Sequence, residues 1–267
     1  AGTLLPGPAS ALGLPAGIVV GPGTGDNMAA AVGVGLRCGD VPISLGTSGT
    51  VSTTADRPTA DPTGAVAGFA DATGRYLPLV CPLNATKVTD AVAPLLRVDL
   101  DEFDRLALAA PPGSGGLTLL PYLDGERTPD RPHASGVLSG IRSDVRRSDL
   151  ARAAVEGVLC GLLDGLDSLA ASLGAAPEGD HVLLGGGARS DAFRQVLADL
   201  TGRPWLAVLD EETVARGAAV QAAAVLRGES IDRVGSAWGR PRARWVEPGV
   251  PPDAGVRTAY AATRDRS

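Results

Sequence analysis

Between His181 and Gly228 the chain alternates strand and helix signals with little slack. His181-Val-Leu-Leu184 is a short apolar strand entering Gly185-Gly-Gly-Ala-Arg-Ser190, and a helix follows from about Asp191 to Leu200, closing at Gly202. Pro204 to Leu209 gives a second strand, and Thr213 can cap a last helix that runs through Leu226 to a stop at Gly228. Strand, loop, helix, strand, helix in this order favours an α/β fold: a sheet with helices packed on it, parallel at this end. A glycine-rich turn between strand and helix is also a common place to hold a nucleotide phosphate, because backbone N–H groups and the helix N-terminus both face the anion.

A dinucleotide-binding Rossmann unit is the rival reading, since Asp210 ends the next strand roughly where that fold places its ribose acid. Against it, the loop lacks the Gly-x-Gly-x-x-Gly spacing and sits late in the chain, without a full set of following strands.

A second glycine-rich stretch lies near the start. Ile18, Val19 and Val20 enter a loop with glycines at 21, 23 and 25, and Asp26 stands where a helix begins, ahead of the small apolar run Met28 to Val34. Glycine lets a ligand approach the backbone closely, so a carboxylate is presented beside an accessible loop. Alone, Asp26 reads as a helix cap. Val41 to Leu45 and Thr50 to Thr54 are then two strands around Gly46-Thr47-Ser48-Gly49, a turn whose flexible N–H groups and two hydroxyls suit an anion, although an ordinary hairpin turn has the same outline.

Further along, Ala65 to Ala70 and Tyr76 to Val80 read as a pair of strands. Asn84 to Leu96 and Leu100 to Ala109 carry apolar residues at three and four spacings and read as amphipathic helices. Leu117 to Leu120 is a buried strand delivering the charged loop Pro121 to Pro129, where Asp124, Glu126 and Arg127 are candidate ligands, although charged loops are more often solvated or internally paired. Gly136 to Ile141 is another strand, and a long helix from Ser148 or Asp149 to Gly174 has Leu150, Ala154, Val158, Leu162, Leu166 and Leu169 on one face. Ala1 to Ala16 reads as loop and Val234 to Ser267 as an extension of weak periodicity, pinned by Trp238 and Trp245. The opening on Ala1 in a loop suggests a piece of a longer protein.

Composition removes several functions. A net charge of -6 gives no basic footprint for nucleic acid or an anionic membrane. Lys87 is the only lysine, which excludes the Gly-Lys-Ser/Thr phosphate loop. Cys38, Cys81 and Cys160 are too far apart for a zinc motif and suggest a reducing, cytoplasmic setting, while His133 and His181 are too few for a histidine metal site. No apolar segment suits a signal peptide or a membrane span.

In order along the chain, Gly25-Asp26-Asn27, Ser44-Leu-Gly-Thr-Ser-Gly49, Leu120-Pro-Tyr-Leu-Asp-Gly-Glu-Arg-Thr-Pro129, the signature opening at Gly136 and resuming at Asp149-Leu150 and Ala153-Ala-Val-Glu156, and Leu184-Gly-Gly-Gly-Ala-Arg-Ser190 resemble the FGGY carbohydrate kinases. The Asn after Asp26 is closer to the ketopentose kinases of the family than to its glycerol kinases. The resemblance implies an actin-like, ribonuclease-H-like fold with helices on both faces of the sheet, and ATP and a ketopentose as substrates. It makes Asp26 the base that takes the proton of the attacking hydroxyl, and a helix beginning there orients its dipole in favour of the anion. Gly46, Thr47 and Ser48 would face the ATP phosphates. Gly186, Gly187 and Ala188 would lie against the nucleotide, with Ser190 or Asp191 near the adenosine.

The loop at Glu126 and Arg127 is left structural by this reading, and Phe193 replaces a common Trp in a packing role. The resemblance also implies a first domain that ends at about residue 25, carries an Asp-x-Gly-Thr phosphate loop, most sugar contacts and the carboxylates linked to Mg²⁺, and is not supplied by this chain. Residues 26–230 would form the nucleotide-binding domain and 231–267 its extension. A chain with these motifs but no partner domain would be weak in turnover, and a non-catalytic binding or assembly remnant is the competing class. A homodimer is left open.

Overall fold

The structure is a computed structural model and describes residues 2–210 and 212–267. In chain order the elements are β1 (Gly2–Thr3), α1 (Pro6–Leu12), β2 (Val19–Val20), α2 (Asp26–Val34), β3 (Val41–Leu45), β4 (Gly49–Ser52), β5 (Leu79–Val80), α3 (Thr86–Leu96), α4 (Leu100–Ala109) and β6 (Thr118–Leu120). They continue with β7 (Val137–Ser139), α5 (Arg147–Leu173), β8 (His181–Leu184), α6 (Asp191–Thr201), β9 (Trp205–Val208), α7 (Thr213–Arg227), α8 (Ile231–Trp238), β10 (Ala243–Val246) and α9 (Ala254–Arg264).

Six strands form one mixed sheet in the order β10-β9-β8-β3-β4-β5. Its centre is parallel, with Ile43 opposite Leu183 and Leu183 opposite Ala207, while β4 returns antiparallel with Thr50 opposite Ser44. Alternation along the strands divides their side chains between two layers. Ile43, Leu45, Val51, Leu183 and Trp205 join the large core formed with α3, α4, α5 and α6. Val182, Leu184, Leu206 and Val208 face the other way, against Ala30 and Val34 of α2. Helices therefore cover both faces.

The long helix α5 differs from a simple one-sided stripe. It is buried around much of its circumference, because the sheet, α3, α4, β6 and α9 all pack on it. Two charges are buried with it: Arg152 and Glu156 are 3% and 4% exposed and pair at 2.7 Å. Glu156 also accepts hydrogen bonds from Gly113 N and Ser114 Oγ, which keeps its carboxylate partnered where water is excluded.

Three stretches depart from the sequence reading. Pro6–Leu12 is a helix inside the expected loop, with Pro6 at its first position, where a missing N–H costs nothing; Ala1 lies outside the described residues. The strands expected at 65–70 and 76–80 shrink to β5 and isolated bridges such as Ala55 to Tyr76. Residues 231–267 form α8, β10 and α9, with β10 an antiparallel edge of the main sheet. Trp238 lies under the Arg216 guanidinium, whereas Trp245 is half exposed on β10. Phe193 is buried, in the packing role expected for it.

Among the described residues no helix is long and apolar enough to cross a membrane, and no three His, Cys, Asp or Glu side chains converge on a metal-sized site.

Candidate active site

Asp26 is the first residue of α2, one position after the N-cap Gly25, and its side chain is exposed. It is therefore not the cap the sequence suggests. Oδ1 accepts hydrogen bonds from Asn27 N and Asn27 Nδ2 at 2.8 and 3.2 Å, and Oδ2 has no partner among the described residues. Asn27 in turn accepts from Thr50 Oγ1 at 3.3 Å, fixing the start of α2 to β4. The carboxylate is thus held by one oxygen and offered by the other. It borders two cavities, one of about 200 Å³ shared with Ser44, Thr50 and Gly185, and one of about 570 Å³ shared with Thr50, Cys81 and Arg127.

The turn between β3 and β4 is anchored through its carbonyls. Gly46 O accepts from Thr86 N and Thr86 Oγ1, both at 2.9 Å, and Thr47 O accepts from Ala85 N at 3.2 Å. Gly49 N donates to Pro82 O. Thr47 and Ser48 are exposed, and neither their N–H groups nor their hydroxyls make a hydrogen bond among the described residues. A fixed turn whose exposed donors are free among the described residues has the means to receive an anion.

The second glycine turn lies against the first. Gly185 has φ +88, and a Cβ there would lie 2.7 Å from Leu45 O, so glycine is needed for both conformation and approach. A Cβ on Gly187 would lie 2.7 Å from the Leu45 Cβ, whereas Gly186 faces open space. Gly46, Thr47, Thr86, Gly186, Gly187 and Ser190 line one cavity of about 540 Å³, a size suited to a nucleotide. Residues distant in sequence are brought together there because β3 and β8 are parallel neighbours whose C-terminal ends lie side by side. Ligands bind preferentially at such strand ends.

Not every expected residue joins them. Ala188 is fully buried, and its carbonyl accepts from Arg194 Nη1 at 2.6 Å. Asp191 faces outward and pairs with Arg194 and Arg244. Ser48 borders none of these cavities. Ser190 caps α6 through Phe193 N and donates its hydroxyl to Asp104 at 2.7 Å. Asp104, unmarked in the sequence, is half-buried in the cavity wall. Burial raises its carboxyl above the ordinary range, against the lowering effect of the Ser190 bond.

Glu126 is structural, as expected. It is 3% exposed and its carboxylate accepts from Leu83 N, Asn84 Nδ2 and Arg127 N. Arg127 separates from it: its side chain is exposed, borders the larger Asp26 cavity, and makes no ion pair among the described residues.

Residues 41–226, which contain both glycine turns, match the C-terminal domain of the FGGY family of carbohydrate kinases. The chain belongs to that family. It is 49% identical over 222 residues to the xylulose kinase of Streptomyces coelicolor, an alignment covering 83% of this chain and 44% of that protein. It is 48% identical to the xylulose kinase of Streptomyces rubiginosus over the same shares. The crystal structure of xylulose kinase from Bifidobacterium adolescentis superposes with a TM-score of 0.77 at 44% identity, covering 91% of this chain and 47% of that one. The chain therefore spans about half the length of these relatives, and its fold is the actin-like α/β fold of the FGGY sugar kinases.

Proposed function

We propose that this chain is the nucleotide-binding part of an ATP-dependent ketopentose kinase that converts D-xylulose to D-xylulose 5-phosphate. The observation that carries the reading is the position of the Gly46–Gly49 turn. Gly46 and Thr47 border the cavity of the second glycine turn, while the flanking Ser44 and Thr50 border the cavities of Asp26. ATP bound on one side presents its γ-phosphoryl group across the turn to a hydroxyl on the other. Asp26 Oδ2 takes the hydroxyl proton as the sugar oxygen bonds to the phosphorus, the bond to the β-phosphate oxygen breaks, and ADP leaves with that electron pair. The free N–H group of Thr47, which borders the nucleotide cavity, receives phosphate charge.

Mg²⁺ bound with ATP would neutralise phosphate charge; its carboxylates, and most sugar contacts, belong in this reading to a preceding domain. The names of the Streptomyces relatives support D-xylulose as the sugar. The test is ATP-dependent phosphorylation across ketoses, aldoses and polyols, using this chain alone and joined to a first domain from an FGGY relative. Activity on D-xylulose in the joined protein, lost in Asp26→Asn, is the expected result. A joined protein that folds and binds ATP but phosphorylates no sugar overturns the reading in favour of a non-catalytic binding protein.

A further inference from the structure

Arg127 is presented by a loop with little freedom. The buried Glu126 carboxylate ties the loop to Leu83 and Asn84, and Asn84 Nδ2 also donates to Gly125 O at 2.8 Å. The backbones of Glu126 and Arg131 exchange two hydrogen bonds of 2.9 Å, and a Cβ on Gly125 would lie 2.5 Å from Pro132 O. The segment it is tied to holds the phosphate-facing turn, through Gly49 N to Pro82 O and Ala85 N to Thr47 O. Turn, segment and loop thus form one hydrogen-bonded unit.

What the loop presents is a guanidinium with no carboxylate partner among the described residues. Arg75, Arg240, Arg257 and Arg264 all pair with carboxylates, whereas Arg127 pairs with none among the described residues and borders the cavity of Asp26. Cys81, in the same wall, senses both groups. Burial raises its thiol above the usual range, the Arg127 charge pulls it down, and Glu126 and Asp26 push it up. A cation carried on a tied backbone and facing a cavity that also holds a carboxylate lacks one component, an anion.

We propose that Arg127 is a catalytic residue that receives the phosphoryl group on the acceptor side of the Gly46–Gly49 turn. The inference rests on the kinase reading above. Its planar fork matches two phosphoryl oxygens, and its charge opposes the charge that spreads over the equatorial oxygens during transfer. It acts through charge and hydrogen bonds and forms no covalent bond. The sequence reading weighed this residue with Glu126 and left both structural; burial and partnering now divide them.

Cys81 supplies a readout that needs no turnover. In this chain, alkylation is followed by mass spectrometry with anionic iodoacetate and neutral iodoacetamide, with the exposed Cys38 as internal reference. Arg127→Gln should lower the iodoacetate to iodoacetamide ratio several-fold at Cys81 and leave Cys38 unchanged. Inorganic tripolyphosphate should slow iodoacetate at Cys81 in the wild type and not in Arg127→Gln. An unchanged ratio, or no protection by tripolyphosphate, overturns the proposal.

In the joined kinase, Arg127→Gln should lower kcat by about 10²- to 10³-fold, the scale of losing one preorganised donor, with KM for both substrates nearly constant and partial recovery in Arg127→Lys. Full activity in Arg127→Gln overturns the role of Arg127 while leaving the kinase reading intact. Absence of wild-type activity removes the kinase reading, and with it the catalytic role, even where tripolyphosphate protects Cys81.

Discussion

Gly33 of α2 and Gly217 of α7 each lie against the backbone of the other helix. A Cβ on Gly33 would stand 1.9 Å from Thr213 O, and one on Gly217 would stand 1.8 Å from Ala29 O. Neither opposing atom can rotate away, so the crossing requires both glycines. Because α2 begins with Asp26, the same crossing fixes where the carboxylate stands. Arg216 adds a hold at the far end, donating from Nε to Gly33 O at 2.9 Å.

Gly217→Ala should therefore force the helices apart, at a cost of about 1–3 kcal/mol or more for overpacking. For a domain of this size that is roughly 2–4 °C in Tm per kcal/mol. Thermal unfolding checks it against Gly235→Ala in α8, where the new Cβ meets Val220 Cγ1 at an ordinary 3.8 Å and should be tolerated.

The two middle glycines of the second turn should separate binding from folding. Gly186 faces open space on the cavity side, so Gly186→Val should leave Tm nearly unchanged and weaken ADP about tenfold or more, a change of roughly 1.4 kcal/mol. Gly187→Ala should lower Tm, because its Cβ meets Leu45 Cβ and Thr86 Cγ2 at 2.7 and 2.9 Å. Thermal unfolding beside titration with a fluorescent ADP analogue distinguishes them.

Acid should act through His181. It is buried at the start of β8, its Nε2 lies 2.9 Å from Arg203 Nη1, and burial together with the Arg203 charge lowers its pKa from 6.5 to about 4. The folded chain thus holds the neutral ring while the unfolded chain takes up a proton below about pH 6.5. The stability of the neutral form is complete above that value and is lost as pH falls toward 4. Denaturant unfolding between these values should show a shallower pH slope in His181→Gln, which keeps an acceptor and removes the titration.

Asp26→Asn in the joined kinase should reduce kcat by about 10²- to 10⁴-fold, the usual range for general-base assistance. Its carboxylate is exposed and, among the described residues, accepts hydrogen bonds only from Asn27, so Tm should hardly move. A variant that retains full turnover would transfer the proton-accepting role elsewhere.

What the sequence disclosed was local chemistry. The helix at Leu100–Ala109 was legible from its periodicity, and α6 and α7 from the stops at Gly202 and Gly228, although Thr213 is the first residue of α7 and not its cap. The two turns that border one cavity were visible as glycine clusters. What stayed hidden depends on the partner across space: β10 is a strand because β9 offers it an edge, and Asp104 belongs to the cavity because α4 packs beside α6. Arg127 and Glu126 look alike in a charged loop, and only the burial of one sets the other free.

The most direct test is amide hydrogen exchange of this chain with and without Mg·ADP. One nucleotide site built by both turns gives protection at two separated places at once, Gly46–Thr47 and Gly186–Ser190, with residues 111–118 unaffected. Protection at only one turn, or binding of ADP that leaves both turns unprotected, would contradict it.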